Sequence, residues 1–196
     1  MAGETAQSRT GTATILFTDL VDSTPQRAAL GEEAAERVRQ AHDHLLVEAV
    51  TAHQGTVAKS TGDGIMATFA GAANAVGAAA AIQQAVERHN RRNATPLAVR
   101  IGISLGDVTW EAQDCFGTPV IEAARLCAVA EGGQILAADL VRLTARGRGG
   151  HTFTPIGPVA LKGLPEPVVA CAVVWEPLAD VGLPLPPRLG TPSAFA

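Results

Sequence analysis

The chain has 196 residues, 47% of them apolar, and a formal net charge of −4 from 15 basic and 19 acidic side chains. That length and apolar content suit one domain with a real core. An acidic balance argues against nonspecific nucleic-acid binding, which needs basic patches. No window approaches the roughly 20 apolar residues of a membrane span, and no charged segment followed by an apolar one marks a signal peptide. Cys115, Cys127 and Cys171 are odd in number and far apart, without metal-ligand spacing. They read as reduced thiols of a cytoplasmic protein.

In chain order, residues 1–11 are small and polar and are expected to be disordered. Thr12 to Thr18 reads as a buried strand. Pro25 opens a helical turn, and Gly31 separates it from a helix over about 32–53. There Val38, Ala41, Leu45, Ala49 and Ala52 recur at helical spacing, and Gly55 stops the run. Thr56 to Ala70 has the pattern of a β-hairpin turned at Gly62-Asp63-Gly64, with Met66 and Phe69 in its core. Ala72 to Asn90 is an alanine-rich helix. From Leu97 to Val108, Val99, Ile101 and Ile103 alternate with Arg100, Gly102 and Ser104, as in a strand. Residues 109–117 read as a loop, and Thr118 to Ala130 as a helix closed by Gly132-Gly133. A short strand (Gln134 to Ala137), a helix capped by Asp139, and a strand pair around Leu161-Lys-Gly163 complete the domain at about residue 176. The Pro-rich stretch 177–196 reads as a linker or tail. His42, His44, His53, His89 and His151 show no partner pattern, and helix-surface or loop placement is expected for each.

The order β-α-β-β-α-β, then α-β-α-β-β, predicts an α+β fold. A ferredoxin-like βαββαβ core is extended by C-terminal α/β elements. The sheet should be rich in antiparallel pairs, with helices on one face. The other face is left for a partner or ligand.

Asp19 and Asp63 each stand at the polar end of an apolar strand pattern. If the two strands are neighbours, both carboxylates converge on one point. Hard oxygen ligands there suit Mg²⁺ or Mn²⁺ shared with phosphates, and a paired-ion site suits in-line displacement at phosphorus. Taken singly, each acid has a plainer reading. Asp19 also fits a strand-end turn, with Asp22 or Ser23 capping the next helix, and Asp-Gly is good turn chemistry anyway.

Three motifs occur in order: Phe17-Thr-Asp19-Leu-Val-Asp-Ser-Thr24, Lys59-Ser-Thr-Gly-Asp63-Gly64, and Asp114-Cys-Phe-Gly117-Thr-Pro-Val-Ile-Glu-Ala-Ala-Arg125. Together they resemble the catalytic domain of class III nucleotidyl cyclases, most of all the actinobacterial adenylyl cyclases, over about residues 12–175. The resemblance implies conversion of ATP to 3′,5′-cyclic AMP and pyrophosphate, with two divalent ions, Mg²⁺ or Mn²⁺, as cofactors. Asp19 and Asp63 match the family aspartates that hold both ions, and the Leu20 carbonyl would complete one shell. Backbone N–H groups of Val21, Asp22, Ser23 and Thr24 would cradle phosphate oxygens. Lys59 and Asp114 match the base-reading pair, Arg125 the arginine that stabilises the transferring phosphate, and Lys162 a lysine directed at the terminal phosphates. The family is active as a homodimer with shared sites. Asp19 and Asp63 would come from one protomer, and Lys59, Asp114, Arg125 and Lys162 from the other.

One position departs from the pattern. Four residues after Gly117 the family usually carries an asparagine that hydrogen-bonds the ribose, and here it is Ile121. Isoleucine cannot donate. That leaves a slow cyclase or one that handles the ribose differently, or alternatively a weak or inactive nucleotide-binding regulatory domain of the same fold. Lys59 and Asp114 disfavour a guanylyl cyclase.

Overall fold

The computed structural model describes residues 9–111 and 114–179. The elements are β1 (Arg9–Leu20), α1 (Ser23–Leu30), α2 (Glu32–Ala52), β2 (Thr56–Ser60), β3 (Ile65–Phe69), α3 (Ala72–Arg92), β4 (Val99–Glu111), β5 (Asp114–Phe116), α4 (Thr118–Val129), β6 (Ile135–Ala138), α5 (Asp139–Ala145), β7 (Thr152–Val159) and β8 (Val168–Val174). Among the described residues one eight-stranded sheet forms in the order β2-β3-β1-β4-β6-β8-β7, with β5 paired to β4. The run β2-β3-β1-β4 is antiparallel throughout, as a ferredoxin-like βαββαβ unit requires. β6 joins β4 in parallel, and β8 and β7 close the sheet antiparallel. The expected α+β fold with C-terminal additions is therefore present.

Strand alternation sorts the side chains onto two faces. Leu16 and Leu20 of β1, Ala67 and Phe69 of β3, and Val99, Ile101 and Ile103 of β4 bury against α2, α3 and α5 in the main core. Ile15 and Phe17 of β1 and Met66 of β3 point the other way, toward α4 and the β4–β5 arm. So α4 departs from the expected one-sided helix layer. It sits over Gly102, where a Cβ would fall 2.1 Å from the Ala123 carbonyl oxygen and 2.2 Å from the Cys127 nitrogen. Only glycine at 102 lets a helix lie that close.

Four local expectations are corrected. β1 begins at Arg9, so residues 9–11 are strand; residues 1–8 lie outside the described residues. Of residues 109–117, Thr109 to Glu111 and Asp114 to Phe116 pair as an arm of β4 and β5 rather than a loop; 112 and 113 lie outside the described residues. The inward face of α2 is His42, Leu46, Ala49 and Val50. Leu45 and Leu46 are adjacent and equally apolar, so the pattern alone could not choose between stripes about 100° apart. The expected surface placement therefore fails for His42, which is 1% exposed. Of the Pro-rich tail, 180–196 lies outside the described residues. No described helix is long and apolar enough to cross a membrane.

The three cysteines are free and buried. Burial pushes the Cys127 thiol up to about 12 and the Cys171 thiol to about 11, and raises that of Cys115 as well. Burial disfavours the charged thiolate, the reactive form. The folded protein should therefore resist a thiol-disulfide reagent at pH 8, with all three thiols titrating only after denaturation. Rapid labelling of any one without loss of fold would contradict this packing.

Candidate active site

The turn between β2 and β3 presses on the end of β1. The Leu20 N–H donates to the Asp63 carbonyl at 3.0 Å. A Cβ on Gly64 would lie 1.9 Å from the Thr18 carbonyl oxygen. The glycine after Asp63 thus does more than favour a turn: it lets the hairpin tip touch the β1 backbone. Asp19 and Asp63 are brought to one end of the sheet because β1 and β3 are direct neighbours.

Asp19 follows Phe17 by two residues, so it shares the face toward α4. There Oδ2 of Asp19 accepts from Arg100 Nε at 2.8 Å and Nη2 at 2.6 Å. Arg100 stands opposite Asp19 in the β1–β4 register, and its Nη1 also donates to the Ala128 carbonyl on α4 at 3.2 Å. Sequence reasoning missed this residue as a site member. The available signal was an arginine inside an alternating apolar strand, opposite the only acidic residue of β1. Asp63 has its own partner, the Ser23 hydroxyl, which donates to Oδ2.

Between β1 and α1 the chain turns sharply at Asp22, whose φ of 56° and ψ of 27° are left-handed. Asp22 is the cap residue by position, and its carbonyl accepts the Gln26 N–H at 3.0 Å, without a side-chain cap bond. The Val21 N–H is already given to the Ala98 carbonyl at 2.8 Å, so Val21 cannot serve the expected phosphate cradle. Ser23 and Thr24 lie in the first turn, where N–H groups have no intrahelical acceptor.

Lys59 owes its direction to a β-bulge. The β2–β3 register slips between Val57 and Lys59, so Lys59 rather than Ala58 stands opposite Met66. That places Lys59 on the same face as Asp19 and Phe17. From there its Nζ reaches both carboxylate oxygens of Asp114, at 2.8 and 2.9 Å. The Lys59 hydrogen bond, with the Cys115 N–H at 2.8 Å, holds the Asp114 carboxyl below the usual carboxylate range. Both side chains keep about 40% of their surface exposed, at 41% and 38%, so the pair is open to a ligand.

Arg125 is exposed on α4, and Lys162 is exposed in the turn between β7 and β8. Ile121 is 46% exposed one helical turn before Arg125. Its neighbour Glu122 is no substitute donor, since Oε2 accepts the Ser104 hydroxyl at 2.5 Å. Trp110 packs against the cluster around Ile15, while Phe116 is 48% exposed.

The donor set fits divalent ions. Two carboxylates from adjacent backbones share the sheet end, and among the described residues their side-chain partners are groups an ion could replace, a guanidinium and a hydroxyl. Oxygen donors of this kind suit Mg²⁺ or Mn²⁺ rather than a soft metal. Among the described residues no group of three or more His, Cys, Asp and Glu side chains is arranged to hold a metal ion, so the protein side chains offered here are the two carboxylates alone.

Residues 5–173 match the family model described as the adenylate and guanylate cyclase catalytic domain. A Rhizobium meliloti (strain 1021) protein provisionally named adenylate cyclase 3 is 39% identical over 126 residues, covering 63% of this chain and 22% of that protein. An uncharacterized Mycobacterium tuberculosis (strain ATCC 25618 / H37Rv) protein is 33% identical over 165 residues, covering 81% of this chain and 54% of that protein. The chain thus spans only about a fifth to a half of these relatives. Among solved structures, an adenylate/guanylate cyclase/hydrolase from Silicibacter pomeroyi superimposes with a TM-score of 0.76 at 29% identity, covering 87% of this chain and all of that one. The guanylyl cyclase Cya2 gives a TM-score of 0.74 at 25% identity, covering 85% and 93%. With the fold, the paired aspartates and these matches in agreement, the chain belongs to the adenylate and guanylate cyclase catalytic domain family.

Proposed function

We propose that this domain is an adenylyl cyclase, converting ATP to 3′,5′-cyclic AMP and pyrophosphate at sites shared by two copies of the chain. The observation that carries the choice of base is the contact between Lys59 and Asp114. Lysine only donates and a carboxylate only accepts. Side by side they match the adenine edge, where N1 accepts and the N6 amine donates. Guanine carries the reverse pattern on that edge.

Asp19, Asp63 and the Leu20 carbonyl would hold two Mg²⁺ or Mn²⁺ ions. Such ions supply an activated ribose 3′-hydroxyl and offset charge on the leaving pyrophosphate. The first-turn N–H groups of Ser23 and Thr24, with that of Asp22, receive phosphate oxygens. Arg125 stabilises charge developing on the transferring phosphate with a fixed, permanent cation, and Lys162 meets the terminal phosphates. Arg100, freed from Asp19, is a further cation at the same end of the sheet.

The exposed stripe Ile121, Arg125 and Val129 on α4, beside Phe116, supports the shared-site arrangement. Ile121, Val129 and Phe116 are 46%, 51% and 48% exposed, so apolar surface surrounds a catalytic cation. A second copy would cover it around a two-fold axis. Ile121 also favours the second reading, a domain that binds nucleotide and turns over negligibly.

The deciding experiment measures cyclic product from ATP and from GTP with Mn²⁺ and then Mg²⁺, at protein concentrations high enough for a weak dimer. Cyclic AMP from ATP is expected. No product from either nucleotide would select the regulatory reading, and cyclic GMP alone would reverse the base assignment. The dimer has its own test. Asp19→Ala and Lys59→Ala are each inactive, yet an equal mixture should regain about a quarter of wild-type activity, since half the dimers keep one of two sites. A mixture as inactive as its components would rule out sharing.

A further inference from the structure

Alternation puts Thr14, Leu16, Thr18 and Leu20 of β1 on one face, the face of the main core. Thr14 is fully buried and Thr18 is 2% exposed. A hydroxyl in such a stripe is costly unless it is hydrogen-bonded, and the two threonines differ in that respect. The Thr14 hydroxyl has no partner among the described residues. Oγ1 of Thr18 accepts the Ile65 N–H at 3.0 Å, across 47 positions of sequence.

That bond forms where the β1–β3 pairing stops, for the last paired residues are Phe17 and Met66. One residue further the Ile65 N–H meets the Thr18 side chain, and three further the Leu20 N–H meets the Asp63 carbonyl at 3.0 Å. Between these two bonds lies Gly64, where a Cβ would fall 1.9 Å from the Thr18 carbonyl oxygen. The hairpin tip is thus pinned to β1 on both sides of its closest approach. Residues 59–63 are exposed, so side-chain packing does little to fix the tip.

We propose that Thr18 is a positioning residue for Asp63: its buried hydroxyl pins the hairpin tip to the end of β1 and keeps the Asp63 carboxylate level with Asp19. The inference rests on the reading of both acids as ion ligands. Groups that share an ion must be held to within about 0.5 Å. The Leu20–Asp63 bond alone would leave the tip free to swing about it, and the Thr18 bond stops that swing. Groups that orient ion ligands from behind typically account for 10–100-fold in metal affinity.

The test titrates Mn²⁺ into the full chain, following free ion by electron paramagnetic resonance, and records the thermal midpoint of each variant. Thr18→Val keeps the shape, removes the hydroxyl and leaves the Ile65 N–H without its acceptor. It should weaken Mn²⁺ binding 10- to 100-fold, while Thr18→Ser, which keeps the hydroxyl, retains most of the affinity. Thr14→Val makes the same change four residues earlier on the same face, and should leave Mn²⁺ binding unchanged. A Thr18→Val protein that melts lower yet binds Mn²⁺ as tightly as the unaltered chain would make Thr18 a packing residue and overturn the inference. An equal loss from Thr14→Val would overturn it too, since that hydroxyl pins nothing. Amide hydrogen exchange in the unaltered chain covers the case of a Thr18→Val that fails to fold. The Ile65 and Leu20 N–H groups should exchange far more slowly than those of Gly62 and Asp63, and fast exchange at Ile65 would refute the pin. Asp63→Asn separates the two layers. If it weakens Mn²⁺ binding and Thr18→Val does not, only the positioning role falls. If it has no effect, or the unaltered chain binds no Mn²⁺, the ion-ligand reading falls as well.

Discussion

Asp63→Ala should abolish cyclic AMP formation while leaving the fold intact. The structural work of residue 63 is done by its backbone, whose carbonyl accepts the Leu20 N–H at 3.0 Å. The close contact at the hairpin tip belongs to Gly64, not to the Asp63 side chain. The substitution therefore removes one exposed carboxylate and leaves the Ser23 hydroxyl to water, a change worth about 1 kcal/mol. Catalysis loses far more. With one of two ion-holding carboxylates gone, the rate should fall by about 10³-fold or more. The measurement is product formation beside a thermal melt. Activity within tenfold of wild type would show that Asp63 holds no ion needed for the reaction. Activity lost together with the fold would leave its role to Asp63→Asn.

Ile121→Asn works in the opposite direction and should raise the turnover number by about 10²-fold, the scale of restoring one donor to a transition state. Ile121 is 46% exposed on α4, so nothing must repack to admit an amide. Asparagine and isoleucine also have similar helix propensities. The adjacent Glu122 does not supply the donor, since a carboxylate only accepts and this one already takes the Ser104 hydroxyl. The gain should fall mainly on kcat, with KM for ATP little changed. An unchanged kcat would mean that ribose is held by other groups or that the domain is not built to turn over.

Much of the fold was legible because the signals were local. The alternation of Val99, Ile101 and Ile103, the Asp-Gly turn and the long alanine-rich helix each fixed an element without help from the rest. What failed depended on partners distant in sequence. Arg9 to Gly11 lack apolar side chains, and become strand only by pairing with Val108 to Trp110. β5 is three residues long, too short for any period to show. The side of the sheet taken by α4 is set by Gly102, and a lone glycine in a strand does not say which face it opens.

The site was legible in the same uneven way. Asp19 and Asp63 could be paired from strand logic, since a split βαβ unit puts β1 beside the hairpin. Lys59 and Asp114 are 55 residues apart, and no local pattern joins them. Only the family resemblance suggested them together. The bulge that aims Lys59 was invisible, because Val57-Ala-Lys59 reads as ordinary strand.

The longest ladder in the sheet pairs all twelve residues of β1 with β4, and its contacts are remote in sequence: Asp19 and Arg100 are 81 positions apart. The closure entropy of that loop must be met before the central pair forms. The β2–β3 hairpin and α3 lie between the two strands and can assemble first. During synthesis β1 can pair with β3 along one edge, but its other edge waits unpaired until β4 arrives. Its apolar centre, Ala13 to Phe17, is the segment most exposed to wrong pairing in that interval. Refolding should accordingly be slow for a domain of this size and sensitive to protein concentration.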